Sequence, residues 1–336
     1  MHLYFSTVVR SAPQRAGGEL VHLDWTAKAV LGAVPVFPDN PDVVDPNPRG
    51  GARGGRGVEV VGDRVVVASY HTLKVFDRAL VHQRDITHGL MAGLHELCQD
   101  GKDRVWVAST AVDAALLVDL DRGEVIDQRW PREAEGVRRP LDLTPLDIDK
   151  SSDNRQEMLS RPERTDTSHI HLNAVATWKG EVYALCSGFG VIVNLDRSEI
   201  VIQHKRLRLG HNLHILDDGT AFTSGTVSRS VELWDLDRRA PVRSIDLTRF
   251  GWVRRLTPTK RALSRLRAKA ARLGVGSAPV SHPLFIRGQH VVDHRMFVGL
   301  SPASILYLDW EKGELIDGFR YADRQEVAVH GISVAT

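Results

Sequence analysis

One short phrase recurs six times along this chain, and it limits the possible folds more than any other feature. The copies fall at residues 20–24, 73–77, 116–121, 191–196, 231–237 and 305–309, as in Leu73-Lys74-Val75-Phe76-Asp77 and Val191-Ile192-Val193-Asn194-Leu195-Asp196. Most lead through a polar turn into a second apolar stretch, as in Gly123-Glu124-Val125-Ile126 and Gly313-Glu314-Leu315-Ile316. This is a strand, a turn and a strand. Self-similarity at such a period marks small sheets repeated around an axis, the blades of a β-propeller.

Another strand precedes each phrase, for example Arg64-Val65-Val66-Val67-Ala68 and Glu181-Val182-Tyr183-Ala184-Leu185-Cys186. It follows an Asp/Gly turn such as Asp100-Gly101-Lys102-Asp103 or Asp217-Asp218-Gly219, and one more strand lies before that turn. Each unit therefore has four strands. The segment 330–335 reads as an innermost strand with nothing after it, and 3–8 as a second strand with nothing before it. The two complete one blade and remove the open edges that would invite aggregation. The expected fold is all-β: a single six-bladed propeller domain over 1–336. A seventh blade within 131–168 is the alternative, and the lack of alternation there argues against it.

Three stretches interrupt the rhythm. Residues 131–168 are polar and charged. Residues 249–281 include a helical pattern at 259–273, with Leu263, Leu266, Ala270 and Leu273 on one face and Arg and Lys on the other. Both insertions join an outer strand to the next inner one, on the face where the axial channel opens, and are expected to form a rim or lid. The third stretch, 38–56, is rich in Pro, Gly and Arg. Its Gly50-Gly51-Ala52-Arg53-Gly54-Gly55-Arg56-Gly57 run lacks the Lys-Ser/Thr and the helix of a phosphate-binding loop, and reads as plain connection.

A formal charge of +2 gives no argument for nucleic acid or a membrane surface. No apolar run approaches the roughly 20 residues needed to cross a bilayer. The first residues lack the pattern of a secretory signal, and Cys98 and Cys186 are too few for a disulfide framework. A cytoplasmic setting is expected.

The chemistry-bearing residues are the histidines, of which there are fifteen. His95, His171, His211 and His330 each open an inner strand, and the first three share almost the same offset from the strand that follows. Equivalent positions on different blades form a ring around the axis. A ring of imidazoles is a donor set for a divalent transition metal, with iron favoured and copper, zinc or nickel as alternatives. Glu96 and Asn173 lie one or two residues beyond ring positions, and His214 extends the same segment as His211. These three are the candidate catalytic groups, as acid/base, substrate-contacting or imidazole-orienting residues. The competing reading packs the histidines into the channel for structure alone, and leaves a scaffold that presents a face, such as the basic helix at 259–273, to a protein partner.

The motifs His95-Glu96-Leu97, His171-Leu172-Asn173-Ala174 and Gly210-His211 resemble those of bacterial propeller proteins that carry His-x-Leu, His-Leu-Asn-Gly and Pro-His on successive blades. Here Ala174 replaces the glycine and Gly210 the proline. That resemblance implies the fold and no established activity. The axial histidines alone are also similar to those of the carotenoid-cleaving oxygenases, seven-bladed propellers that hold ferrous iron. Gluconolactonase-type lactonases have six blades, but their metal site is built from carboxylates and amides. The functional expectation is a metal-dependent enzyme acting on a small molecule in the axial pocket, favoured as a histidine-ligated iron oxygenase. A redox-neutral lyase or hydrolase and a non-catalytic scaffold are the alternatives.

Overall fold

The computed structural model describes residues 1–12, 17–45, 54–161, 169–256 and 284–335. The strands form six antiparallel four-stranded sheets. Blade 1 is built from both ends of the chain: its inner strand Val327–Ala335 pairs with His2–Val9, followed outward by Glu19–Asp24 and Ala29–Pro35. The other inner strands are Val58–Val61, Leu94–Gln99, Leu172–Trp178, Gly210–Ile215 and Gln289–Val292, for blades 2 to 6 in order. Each inner strand touches those of its two neighbours, and blade 6 meets blade 1, so the ring is closed.

The near-continuous apolar runs have a simple cause: both faces of every blade are buried. In Arg104–Ser109, Val105 and Val107 pack into the cluster between blades 2 and 3, while Trp106 and Ala108 pack into the cluster between blades 3 and 4. Six such apolar clusters alternate with the six sheets, one per interface. The aspartates ending the repeated phrase hold turns. Asp77 Oδ1, for example, accepts from the N–H groups of Ala79 and Val81 at 2.9 and 2.8 Å.

The expected interruption at 131–168 has no strand among its described residues. Two short helices, Glu135–Arg138 and Arg155–Ser160, tie it to the blades through Val137 in one interface cluster and Met158 and Leu159 in another. Buried Asp113 anchors its two ends. One oxygen lies 3.6 Å from Arg132 Nη1 and accepts from the Ile170 N–H at 3.0 Å. Of the second interruption, Gly251–Leu256 is helical, and the basic helix expected at 259–273 falls outside the described residues. No helix among the described residues is long and apolar enough to cross a membrane.

Candidate functional site

Four inner strands are interrupted by a bulge: near the start at His95-Glu96 between the partners Leu94 and Leu97, at Asn173 and at Asn212-Leu213, and in blade 1 at His330, which lies inside its strand rather than opening it as expected. A bulge inserts an unpaired residue and re-aims the side chains beside it, which is why bulges gather at functional rims. His171 and Asn212 adopt left-handed backbone, with φ of 56° and 58°.

These irregularities bring four expected histidines together. The His95 ring centroid lies 6.0 Å from His171, 6.0 Å from His211 and 5.8 Å from His330, and His211 lies 6.5 Å from His330. The two remaining blades supply a different residue at the matching position. Arg56 stands two residues before inner strand Val58–Val61, and Arg287 two before Gln289–Val292. The ring in blade order is thus His330, Arg56, His95, His171, His211, Arg287. Arg56 Nη1 donates to the Leu94 carbonyl at 2.7 Å and lies 3.0 and 3.4 Å from the two ring nitrogens of His95. Arg287 Nη1 lies 2.6 Å from His330 Nε2. Arg10 and Arg287 each place their guanidinium 4.4 Å from the Phe285 ring centre.

Sequence reasoning missed the two arginines because it read 38–56 as loop and searched for histidines. The signal was present as a ring residue followed by glycine: Arg56-Gly57, Arg287-Gly288 and His330-Gly331. A Cβ on Gly331 would meet the Arg56 carbonyl oxygen at 2.2 Å, one on Gly57 the His95 oxygen at 2.5 Å, and one on Gly288 the His330 oxygen at 3.0 Å. Each glycine lets its strand pack against the ring residue of the next blade.

Threonines orient two of the imidazoles. Thr110 Oγ1 donates to the Leu172 carbonyl at 2.6 Å, so towards His95 Nδ1, 2.7 Å away, it acts as acceptor. Thr226 repeats this one blade pair on, donating to the Ile286 carbonyl at 3.1 Å and facing His211 Nδ1 at 2.9 Å. His211 therefore carries the proton on Nδ1 and presents Nε2 as a lone pair, whereas Arg56, a donor only, stands against both ring nitrogens of His95. The His211 Nε2 is buried and has no hydrogen-bond partner.

Burial and the arginine charges hold all four imidazoles neutral. Desolvation pushes His95, His211 and His330 well below the usual imidazole range, and Arg56, Arg287 or Arg10 push further in the same direction. His171 falls to about 3, from burial, His169 and the two ring arginines. Burial raises Glu96 to about 8 against the opposing pull of Arg287 and Arg56, so it carries a proton at neutral pH. Its Oε1 lies 3.7 Å from His330 Nδ1.

The other two expected catalytic residues have partners of their own. The Asn173 amide nitrogen donates to Ser187 Oγ at 2.9 Å and to the Gly210 carbonyl at 2.8 Å, joining blade 4 to blade 5. His214 points into a separate cavity further along the channel, opposite His290, with ring centroids 5.9 Å apart. Among the described residues, no three His, Cys, Asp or Glu side chains stand at metal-ligating spacing.

No family model and no curated protein matches the sequence. Solved structures match in fold. A protein of unknown function from Bacteroides caccae aligns over 98% of this chain and 97% of its own, with a TM-score of 0.59 and 10% identity. A chain of a Nidogen/Laminin complex aligns over 98% and 97%, with a TM-score of 0.56 and 11% identity. Both similarities are of propeller architecture alone.

Proposed function

We propose that the axial mouth is the site of a small anionic molecule, on which the protein acts through a ring of neutral imidazoles and fixed guanidiniums. The observation that carries this reading is the ring itself: two arginines occupy the positions that four histidines occupy on the other blades. Guanidiniums stay charged and match carboxylate or phosphate oxygens with paired donors. The imidazoles add acceptors, and Glu96 adds a protonated carboxyl able to give or take a proton at neutral pH. The test is calorimetric titration with oxalate, acetate and inorganic phosphate, on the protein and on Arg287→Gln. Saturable binding of an anion that weakens about tenfold or more in the variant supports the reading. Absence of binding by all three overturns it.

A second reading adds a metal, and it rests on His211. An imidazole tied at Nδ1 with a bare, buried Nε2 is the form that ligates a transition ion. The donor set fits incompletely as arranged, because Arg287 sits on the Nε2 of His330 and the imidazoles stand wider than a shared ion requires. His95, His171 and His211 are the residues that would hold such an ion. Iron, with oxygen chemistry on the bound substrate, is the favoured version, and Lewis-acid lyase or hydrolase chemistry at copper, zinc or nickel is the other. Elemental analysis after incubation with ferrous, copper, zinc and nickel salts decides: bound metal well below one per chain removes this reading. Failure of both titrations leaves a scaffold that presents a face to a protein partner.

A further inference from the structure

The axial channel has a second chemical centre, which shares only Glu96 with the ring. Beyond the bulges, the inner strands enclose a cavity of about 230 Å³, with Glu59, Glu96, Cys98, His214 and His290 among its lining side chains. Apolar walls come from Leu97, Leu213, Ile215 and Ile332. No Lys or Arg is among the lining residues. The end of the channel that carries Arg56 and Arg287 is thus cationic in character, and this end offers carboxyl groups and imidazole acceptors.

Two acceptors in the cavity wall are left over. Glu96 Oε1 and Asn212 Oδ1 are buried without a hydrogen-bond partner, on residues only 8% and 4% exposed. Gln289 Nε2, in the same wall, is an unpartnered donor on a residue 8% exposed. Buried polar atoms left unmade are costly, and three in one cavity call for an occupant. The carboxyls and acceptors call for an occupant that donates and carries positive charge. Glu59 supports this. It sits beside a second carboxyl in a poorly solvated wall that supplies no compensating cation, and burial with the Glu96 charge raises it to about 8.

We infer that this inner cavity is a binding site for a small organic cation, a primary alkylammonium, seated between Glu59, Glu96 and Asn212 with its apolar chain against Leu97, Leu213 and Ile332. The ammonium group supplies three donors to leftover acceptors, and its charge would favour the ionised form of the carboxyls that burial holds protonated. The compactness of the cavity restricts the ligand to a few carbon atoms, and the unpartnered Gln289 amide suits an acceptor on that chain.

The test is calorimetric titration with n-butylammonium, with n-butyrate and zinc chloride as comparison ligands, on the intact chain. Expected is saturable n-butylammonium binding that weakens about tenfold or more in Glu59→Gln, a loss in the range of one charge-assisted hydrogen bond. Arg56→Gln, which removes a cation acting on Glu96, should not weaken it, which separates this site from the anion site at the mouth. His290→Gln, a second variant on a different blade, guards against a folding defect in the first and should also weaken binding while melting cooperatively. Absence of saturable binding, equal binding in Glu59→Gln, or displacement by n-butyrate overturns the inference. Zinc binding here with no butylammonium binding overturns it also, and assigns the cavity to a metal.

Discussion

Arg287 sets its Nη1 2.6 Å from Nε2 of His330. A guanidinium only donates, so the imidazole accepts at Nε2 and carries its proton on Nδ1, the nitrogen facing Glu96. One blade thereby fixes the tautomer of a histidine on the next.

Replacing Arg287 with Gln removes the charge that, after burial, does most to keep His330 and His211 neutral. Both imidazoles should then titrate at higher pH, yet still below 6.5, because the desolvation that dominates their shifts persists. NMR titration of the histidine ring protons checks this, and an unchanged profile would show that the guanidinium does not act on them.

Thr226→Val should cost about 1–3 kcal/mol, the usual penalty for stranding buried polar groups. The substitution keeps the shape and leaves both His211 Nδ1 and the Ile286 carbonyl without their partner. Urea denaturation measures the loss. The same change at Thr110 should cost less: it removes the donor to the Leu172 carbonyl, but His95 Nδ1 keeps the Gly93 carbonyl at 2.9 Å.

Glu59 binds a proton up to about pH 8 when folded and has an ordinary value of 4.5. Its contribution to stability is therefore present below pH 4.5 and lost as pH rises through 8. Glu59→Gln removes that dependence. The melting temperature of the variant relative to the unmodified chain should climb between about pH 5 and 8 and level off above. A pH-independent difference would show that the half-buried Glu59 carboxyl is not held protonated.

His214 and His290 act on the acid side. Burial lowers them to about 4 and about 3 from an ordinary 6.5. Below pH 6.5 the unfolded chain takes up protons that the folded one refuses, so stability falls as pH drops towards 4. His290→Gln should flatten that acid limb in a melting series, and an unaltered slope would show that the pair does not titrate in this range.

Gly331→Ala should disrupt the closed ring, since its Cβ would meet the Arg56 oxygen at 2.2 Å and the Val58 nitrogen at 2.6 Å, both rigid backbone. Gly180→Ala is the contrast: its φ is +77° but nothing lies within 4 Å, so only the left-handed backbone cost of about 1–2 kcal/mol applies. Denaturation midpoints should separate the two by a clear margin.

The propeller was legible because the repeated phrase is the third strand of every blade, and both of its faces are buried, so its apolar run recurs with each blade. The closing of blade 1 by 330–335 and 3–8 was legible for the same reason. The ring was half legible. His95, His171, His211 and His330 stood out by type, while Arg56 and Arg287 were passed over because 38–56 read as loop and only histidines were sought, although their offset from the strand that follows is within a residue or two of the histidines'. Asn173 and His214 were drawn to the ring by proximity in sequence. In three dimensions Asn173 ties blade 4 to blade 5, and the bulge at Asn212-Leu213 carries His214 from the mouth into the second cavity.

The strand that closes the ring also has a bearing on how the molecule forms. Gly331 N–H donates to Ser6 Oγ at 2.9 Å, across a sequence separation of 325 residues, and Ser6 in turn donates to the Arg56 carbonyl. Contacts of such separation wait until the entropy of closing the intervening loop has been met, which makes them slow to form. Five blades can be assembled from neighbours in sequence, but His330 reaches Arg56 and Arg287 only with this last pairing. The axial site therefore depends on the pairing of the two chain ends, and a variant in which they fail to pair should lose the site.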